Sequence, residues 1–510
     1  MAESLGFKGT LKLKPGSVPT IVKPGPSVRH EKQDRHSTQQ LLEKRKKAQM
    51  KLPHDDSNDR DYIIDSEESE CDSVEQVILT PEQLYIKENK YLVFESAFET
   101  LVKMLKCNLC GCPVDPNDTI KDLTGSTVLT LNIFCTCGHL ITKWSSQLFV
   151  GKMPVGNLRV SAATLFSGQT FTHLSQFSEF LNMKFISHTT FNKIQRDCLM
   201  PVVKHTWSLL QKADLDKIKQ GTSFRLAGDG RCDSPGFSAK YCTYSLLDIE
   251  TQHIVMFVVV KVTETGSSSK VEVEGFRTCM TYLLDQRFTI DVLETDRHGQ
   301  IRSIMKKVFS NVDHQFDVWH LCKSLKKKLT GKAKSKGCED LNFWIKAICN
   351  HLWWCASNCE GDKVLLEENV AAKKKWLVRE SKAHKALKEV VLDKRPRKDI
   401  CQLSEFCHTG NLEVYHSLML KYCPKRQEFD YDQMVTRTTL AVIDHNLNQN
   451  RDHKINKNGE KAYKLVCPKA TGQWVVKPVF KNKTYQWVYA IMENVLVQKD
   501  TCASSTKKAE

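Results

Sequence analysis

Polar positions dominate the first 85 residues, and no regular spacing of apolar side chains organises them. Aromatic residues are scarce there and Pro, Ser and charged residues common, which predicts a disordered tail over 1–85. Periodicity begins at Val93: Phe94, Phe98, Leu101 and Leu105 recur at steps of four, three and four, which predicts an amphipathic helix over 93–106. Residues 127–134 alternate as a strand does. Helical spacing returns over 158–207 in three short segments, 161–166, 174–181 and 188–198, with a break at 182–187.

From residue 222 the period changes. Residues 223–227 read as a strand that ends at Gly228-Asp229-Gly230. Strands over 241–249 and 253–262 follow, joined by the short break Glu250-Thr251-Gln252 of a hairpin. Helix and strand then alternate: helix 275–286, strand 289–294, helix 300–309, strand 314–318, and a helix from Trp319. Three antiparallel strands followed by alternating helix and strand is the order of an RNase H-like α/β domain. Residues 331–400 interrupt this order with Lys- and Trp-rich helical sequence. One further helix fits 401–430, and 431–510 forms a C-terminal segment. The core is thus expected in two parts, 222–330 and 401–430, around a helical insertion at 331–400.

Two cysteine groups flank the strand at 127–134. Cys107-Asn108-Leu109-Cys110-Gly111-Cys112 precedes it and Cys135-Thr136-Cys137-Gly138-His139 follows. C-x2-C before Gly is a tight knuckle that points two thiolates at one ion, and a second Cys/His group closes a tetrahedral zinc site. Residues 90–150 therefore read as a zinc-ribbon-like module with structural Zn²⁺. Cys107, Cys110, Cys112, Cys135, Cys137 and His139 compete for four places. A second zinc site in the insertion would draw on Cys355, Cys359 and His384.

Composition narrows the classes. The 510 residues carry 75 Lys+Arg against 59 Asp+Glu, a formal charge of +16 that favours a polyanionic partner. The longest purely apolar run, 254–260, is far short of a membrane span, and residues 1–16 lack the apolar core of a secretory signal. The 20 cysteines then read as thiols and metal ligands. Lys44-Arg45-Lys46-Lys47 is a nuclear-import signal or a loose DNA contact, and an acid-rich run follows it at 55–75. The helical region 155–215 is either a plain bundle or a helix-turn-helix offering Asn192, Lys193, Gln195 and Arg196 to a DNA groove. Residues 323–336 hold seven lysines and no acid, Lys326, Lys327 and Lys328 among them. They suit phosphate contact, with Leu321, Leu325 and Leu329 as the buried face.

Three carboxylates stand at element ends: Asp229 after the first strand, Asp296 after the fourth, and Glu413 on a late helix. The first and fourth strands are neighbours in an RNase H-like sheet, so the two aspartates meet. Carboxylate-only sites suit Mg²⁺ or Mn²⁺, and a pair of such ions serves in-line attack at phosphorus.

The motifs Asp229-Gly230-Arg231-Cys232-Asp233-Ser234-Pro235-Gly236, Thr295-Asp296-Arg297-His298, Asp317-Val318-Trp319-His320 and His408-Thr409-Gly410-Asn411-Leu412-Glu413 occur in this order. With Trp144-Ser145-Ser146-Gln147, Arg437-Thr438-Thr439-Leu440-Ala441 and Asp444-His445-Asn446, they resemble eukaryotic DDE transposases of the insertion-sequence-like cut-and-paste type, relatives of THAP-domain transposon transposases. The resemblance spans roughly residues 100–495. It implies Asp229, Asp296 and Glu413 as the catalytic triad, separated by 67 and 117 residues. The second separation is long for a minimal core and implies the insertion. Asp317 and His320 would line the site, with His320 on the scissile phosphate or packing, and His416 would orient Glu413. The implied partners are transposon-end and target DNA and a second copy of the chain, in the nucleus and off the membrane. The alternative is a transposase-derived DNA-binding regulator without cleavage. One departure stands out: residues 1–90 contain only Cys71 and hence no THAP-type finger.

Overall fold

The computed structural model describes residues 85–122, 127–221, 223–235, 238–267, 270–359, 362, 377–405, 410–468 and 474–506. The expected tail, its Lys44–Lys47 cluster and the acid-rich run lie outside the described residues, as do Gly236, Cys407 and His408.

Helix α1 (Glu95–Lys103) precedes an antiparallel three-stranded sheet of β1 (Ile120–Asp122), β2 (Thr130–Phe134) and β3 (Leu140–Ser145), in that spatial order. Alternation along β2 sends Leu131 and Ile133 inward against Phe98 and Val102 of α1. Only part of the expected apolar stripe is covered: Phe98 packs on the sheet, whereas Phe94 is 72% exposed and Leu101 61%.

Helices α2 (Val155–Phe166), α3 (Phe171–Phe180) and α4 (His188–Ile194) follow. Side chains cap the last two: Thr170 Oγ1 accepts from the His173 N–H and Ser187 Oγ from the Thr190 N–H. The chain then runs through a π-helical turn (Gln195–Leu199) into the 20-residue α5 (Met200–Lys219) without a break. Pro201 near the start of α5 lacks an N–H, which removes one ordinary helical bond at this junction. Leu158, Leu165, Leu199, Val202 and Val203 share one apolar cluster with Tyr415, Leu440, Ile443 and Trp487. The helical region at 155–215 is therefore packed into the main core.

The principal sheet is mixed. Strands β4 (Arg225–Cys232), β5 (Tyr241–Asp248) and β6 (Ile254–Lys261) pair antiparallel; β7 (Val292–Thr295) pairs parallel with β4, and β8 (Asp313–Phe316) parallel with β7. The spatial order is β8-β7-β4-β5-β6. Both faces are covered, so β5 is buried almost throughout. Tyr244 and Leu246 meet Phe276, Cys279 and Met280 of α6 (Val271–Asp285), while Leu247 belongs to the cluster on the other side. The links between parallel strands are α6 and α7 (Gly299–Lys307).

Helix α8 (Val318–Ala333) leads from the sheet into the insertion, whose described residues form α9 (Leu341–Ser357), α10 (Lys382–Val391) and α11 (Lys394–Ile400). Leu321 and Leu329 of α8 are buried, as the sequence pattern requires. Asp399, fully buried in α11, pairs with Arg302 at 2.6 Å and with Arg297, which ties the end of the insertion to the segment after Asp296. Helices α12 (Gly410–Tyr422) and α13 (Tyr431–Asn446) return to the sheet. Asn446 bonds both backbone groups of Ile254 at 2.9 Å, and Arg437 donates to the carbonyls of Gly168, Gln169 and Tyr422. Asp444 is held by Tyr422 Oη at 2.8 Å and by Lys421 and Lys483, each at 3.3 Å. A hairpin of β9 (Tyr463–Val466) and β10 (Val475–Pro478) and helix α14 (Gln486–Thr506) complete the chain. Among the described residues no helix is long and apolar enough to cross a membrane.

Helix α6 lies unusually close to β5: a Cβ on Gly275 would stand 2.7 Å from Tyr244 Cβ. Ala is the better helix former, yet here it overpacks the contact. Gly275→Ala is expected to lower stability by about 1–3 kcal/mol in urea denaturation; a gain would contradict this packing.

Candidate functional site

Asp229 lies inside β4, which continues to Cys232 and does not end at Gly228 as the sequence suggested. Its flanking glycines are packing positions. A Cβ on Gly228 would meet Tyr244 Oη at 2.6 Å, and one on Gly230 would meet Glu272 Cγ at 2.5 Å. Asp296 directly follows β7, and the register Gly228↔Thr295 sets it beside Asp229. Glu413 stands exposed in the first turn of α12.

Electrostatics ties these groups together. Burial, then the Asp296 charge, pushes the Asp229 carboxyl up to about 7, with Glu413 adding to the rise. The Gly230 N–H, 2.8 Å from Asp229 Oδ1, and His320 oppose it. The three carboxylates expected to act together thus share one field.

His416, one turn after Glu413, places Nδ1 3.5 Å from Asp229 Oδ2. Its contact is with the aspartate, where the sequence reading set it against Glu413. Burial, then Arg231 and Lys425, lowers its pKa to about 3, so the ring is neutral at pH 7. Its Nε2 is buried without a hydrogen-bond partner. Asp317 does not line the site. It is 2% exposed, caps α8 by accepting from the Trp319 N–H at 2.7 Å, and stands 3.0 Å from His320 Nδ1. That hydrogen bond raises the His320 pKa, with Asp317, Asp296 and Asp229 charges adding to it. Asp317 fixes the orientation of the His320 ring.

A fourth carboxylate, Glu272 in the first turn of α6, was missed by sequence reasoning. Burial, then Asp296 and Asp229, pushes it up to about 8. A cleft of about 460 Å³ opens beside the carboxylates, lined by Arg231, Glu413, His416, Ser417 and Lys425 among others. Carboxylate oxygens are donors of the kind a hard divalent cation takes; among the described residues these acids do not form a group whose oxygens all lie within 4.8 Å of one another.

The cysteine groups assemble as well. Cys107, Cys110, Cys135 and His139 bring their ligand atoms within 4.8 Å of one another and can hold a metal such as zinc. A tetrahedron with Zn–S of about 2.3 Å and Zn–N of about 2.05 Å requires S···S near 3.8 Å and S···N near 3.6 Å. Cys110 Sγ and Cys135 Sγ are 3.7 Å apart, and Cys135 Sγ is 3.6 Å from His139 Nδ1. Cys137 falls outside this quartet and meets Cys112 at 3.4 Å.

The second expected zinc site does not form. Cys359 donates to the carbonyls of Ala356 and Ser404, Cys355 contacts His351, and His384 accepts from the Glu380 N–H. Cys355 and Cys359 are core residues, and His384 lies by a different apolar cluster. Of the expected DNA contacts, Lys193, Lys326 and Lys327 are exposed. Arg196 pairs with Asp197 at 3.0 Å, Lys328 with Asp393 at 3.6 Å, and Asn192 accepts from Gln433 at 3.3 Å. Gln195 is buried and unavailable to a groove. The chain matches no protein-family model and no curated protein.

The raised Asp229 pKa has a consequence for stability. Its folded value of about 7 lies above the ordinary 3.8, so unfolding favours ionisation and stability falls as pH rises across that window. Without divalent cations, Asp229→Asn is therefore expected to raise Tm by a few degrees at pH 8, with a smaller gain at pH 5. A loss at pH 8 in thermal denaturation would contradict the assignment.

Proposed function

We propose that this protein is a metal-dependent DNA strand-cleaving and strand-transferring enzyme of the DDE transposase type, built on an RNase H-like domain. The observation that carries the reading is the register Gly228↔Thr295, which sets Asp296 beside Asp229, with Glu413 and Glu272 in the same electrostatic field. The strand order β8-β7-β4-β5-β6, with its antiparallel trio and parallel pair, supports the fold assignment. The ordered motifs support the family.

Asp229, Asp296 and Glu413 would hold Mg²⁺ or Mn²⁺, which when bound would supply activation of the attacking oxygen and neutralisation of the leaving one. In the first step a water oxygen attacks phosphorus and loses a proton to solvent, the P–O3′ bond breaks, and the leaving O3′ takes up a proton from solvent. The products are a 5′-phosphate and a free 3′-hydroxyl. In the second step that hydroxyl attacks a target phosphodiester and displaces a target 3′-oxygen. His320, with Nδ1 engaged by Asp317, turns its Nε2 edge towards the phosphate. Neutral His416 holds the Asp229 carboxylate in place through Nδ1. Lys326 and Lys327 on α8, and Lys193 on α4, contact DNA phosphates. The zinc-holding module is architectural. Two transposon ends held together require a homo-oligomer, and the substrate places the protein in the nucleus.

The test is cleavage of a DNA fragment carrying the gene's own flanks, with Mg²⁺. Wild type is expected to cut at discrete ends, and Asp296→Asn to bind equally but cut on the order of a thousandfold less. Glu272→Gln is expected to need about 10–100-fold more Mg²⁺ for half-maximal cleavage. Equal cleavage by Asp296→Asn would overturn the mechanism. Binding without cleavage by wild type would assign a transposase-derived DNA-binding regulator instead.

A further inference from the structure

The two knuckles carry more ligands than one zinc ion uses. Beside the quartet of Cys107, Cys110, Cys135 and His139 stands a second group, Cys110, Cys112 and Cys137, whose sulfurs also lie within 4.8 Å of one another. Cys110 belongs to both groups. Cys112 Sγ and Cys137 Sγ, one from each knuckle, are 3.4 Å apart.

The backbone explains the arrangement. Gly111 (φ +71°) and Gly138 (φ +79°) adopt the left-handed conformation that closes each knuckle. The Cys107 N–H then donates to the Cys112 carbonyl at 2.9 Å, and the Cys135 N–H to the His139 carbonyl at 3.0 Å. Closing both loops turns Cys107 and Cys135 into the buried interior. It leaves Cys110 and Cys137 exposed and Cys112 half-exposed, so the second group forms an outer layer over the first.

A thiolate sulfur bound to one zinc retains lone pairs for another, so Cys110 has the electrons to bridge two ions. Charge permits it. Five thiolates against two divalent cations carry a net charge of −1. One zinc with three thiolates and two neutral thiols carries the same. A second ion therefore adds no charge to be desolvated. It also replaces the Cys112–Cys137 thiol contact with two metal–sulfur bonds.

We propose that this module binds two zinc ions that share the Cys110 sulfur. Cys107, Cys110, Cys135 and His139 close the inner site. Cys110, Cys112 and Cys137 hold the outer ion, whose fourth position opens to solvent. The outer ion exchanges more readily than the inner one, because it has fewer protein ligands and lies at the surface. This inference is independent of the proposed catalytic activity.

The test is zinc stoichiometry of the full chain. Protein from zinc-supplemented culture is kept reduced, freed of loose metal by gel filtration, and measured by elemental analysis and native mass spectrometry. Two zinc ions per chain are expected in wild type, and one in Cys112→Ser and in Cys137→Ser. A chromogenic zinc chelator is expected to remove the wild-type zinc in two steps, one of which the variants lack. One zinc in wild type, whether peptide mapping then finds Cys112 and Cys137 as free thiols or as a disulfide, would overturn the proposal. Two zinc ions retained in both variants would overturn it equally.

Discussion

The parallel pairing of β7 with β4 is the constraint from which the rest follows. It sets Thr295 beside Gly228 and so brings Asp296 against Asp229. A parallel pair cannot be joined by a tight turn and needs a crossover, which α6 provides between β6 and β7. A sheet with parallel strands at its centre needs cover on both faces. Helix α6 supplies one cover, and α12 and α13 the other. Helices around the sheet carry the remaining groups: α6 carries Glu272, α8 carries His320, and α12 carries Glu413 and His416.

Gathering like charges at a partly buried sheet end opposes folding. Asp229 and Glu272 show the opposition as raised pKa values. Two other buried acids are handled differently. Asp399 meets two arginines, and Asp444 meets two lysines and a tyrosine. Those carboxylates are structural and close their own charge. Beside the carboxylates at the sheet end stand two histidines, His320 and His416, in place of the arginines and lysines that meet Asp399 and Asp444.

Much of the architecture was legible in the sequence because its apolar spacing is regular. The hairpin of β5 and β6 and the alternation that follows are set by β-branched runs and helical stripes that local pattern reveals. The misses have local causes. Gly228 and Gly230 read as turn residues, whereas they make room for Tyr244 and Glu272 inside a strand. Helix α6 begins a turn earlier than its pattern suggests, without a capping side chain, so Glu272 fell in an expected loop. The π-helical turn at 195–199 has no signature in apolar spacing, and the helix runs on past Cys198, where the expected segment ended. Cys355 and Cys359 have the spacing of metal ligands, but tertiary packing gives their sulfurs carbonyl and histidine neighbours. The inner zinc quartet needed three dimensions, since six ligands at similar spacing cannot be sorted along the chain.

The central claim is that the carboxylates at the end of β4 and β7 hold a divalent cation. The most direct measurement is Mn²⁺ binding to the purified protein at pH 8, read as loss of the free-ion electron paramagnetic resonance signal, for wild type and for Asp229→Asn. Saturable binding by wild type, weakened at least about tenfold by the substitution, is the predicted result. Absent binding in wild type, or equal binding by the variant, would contradict it.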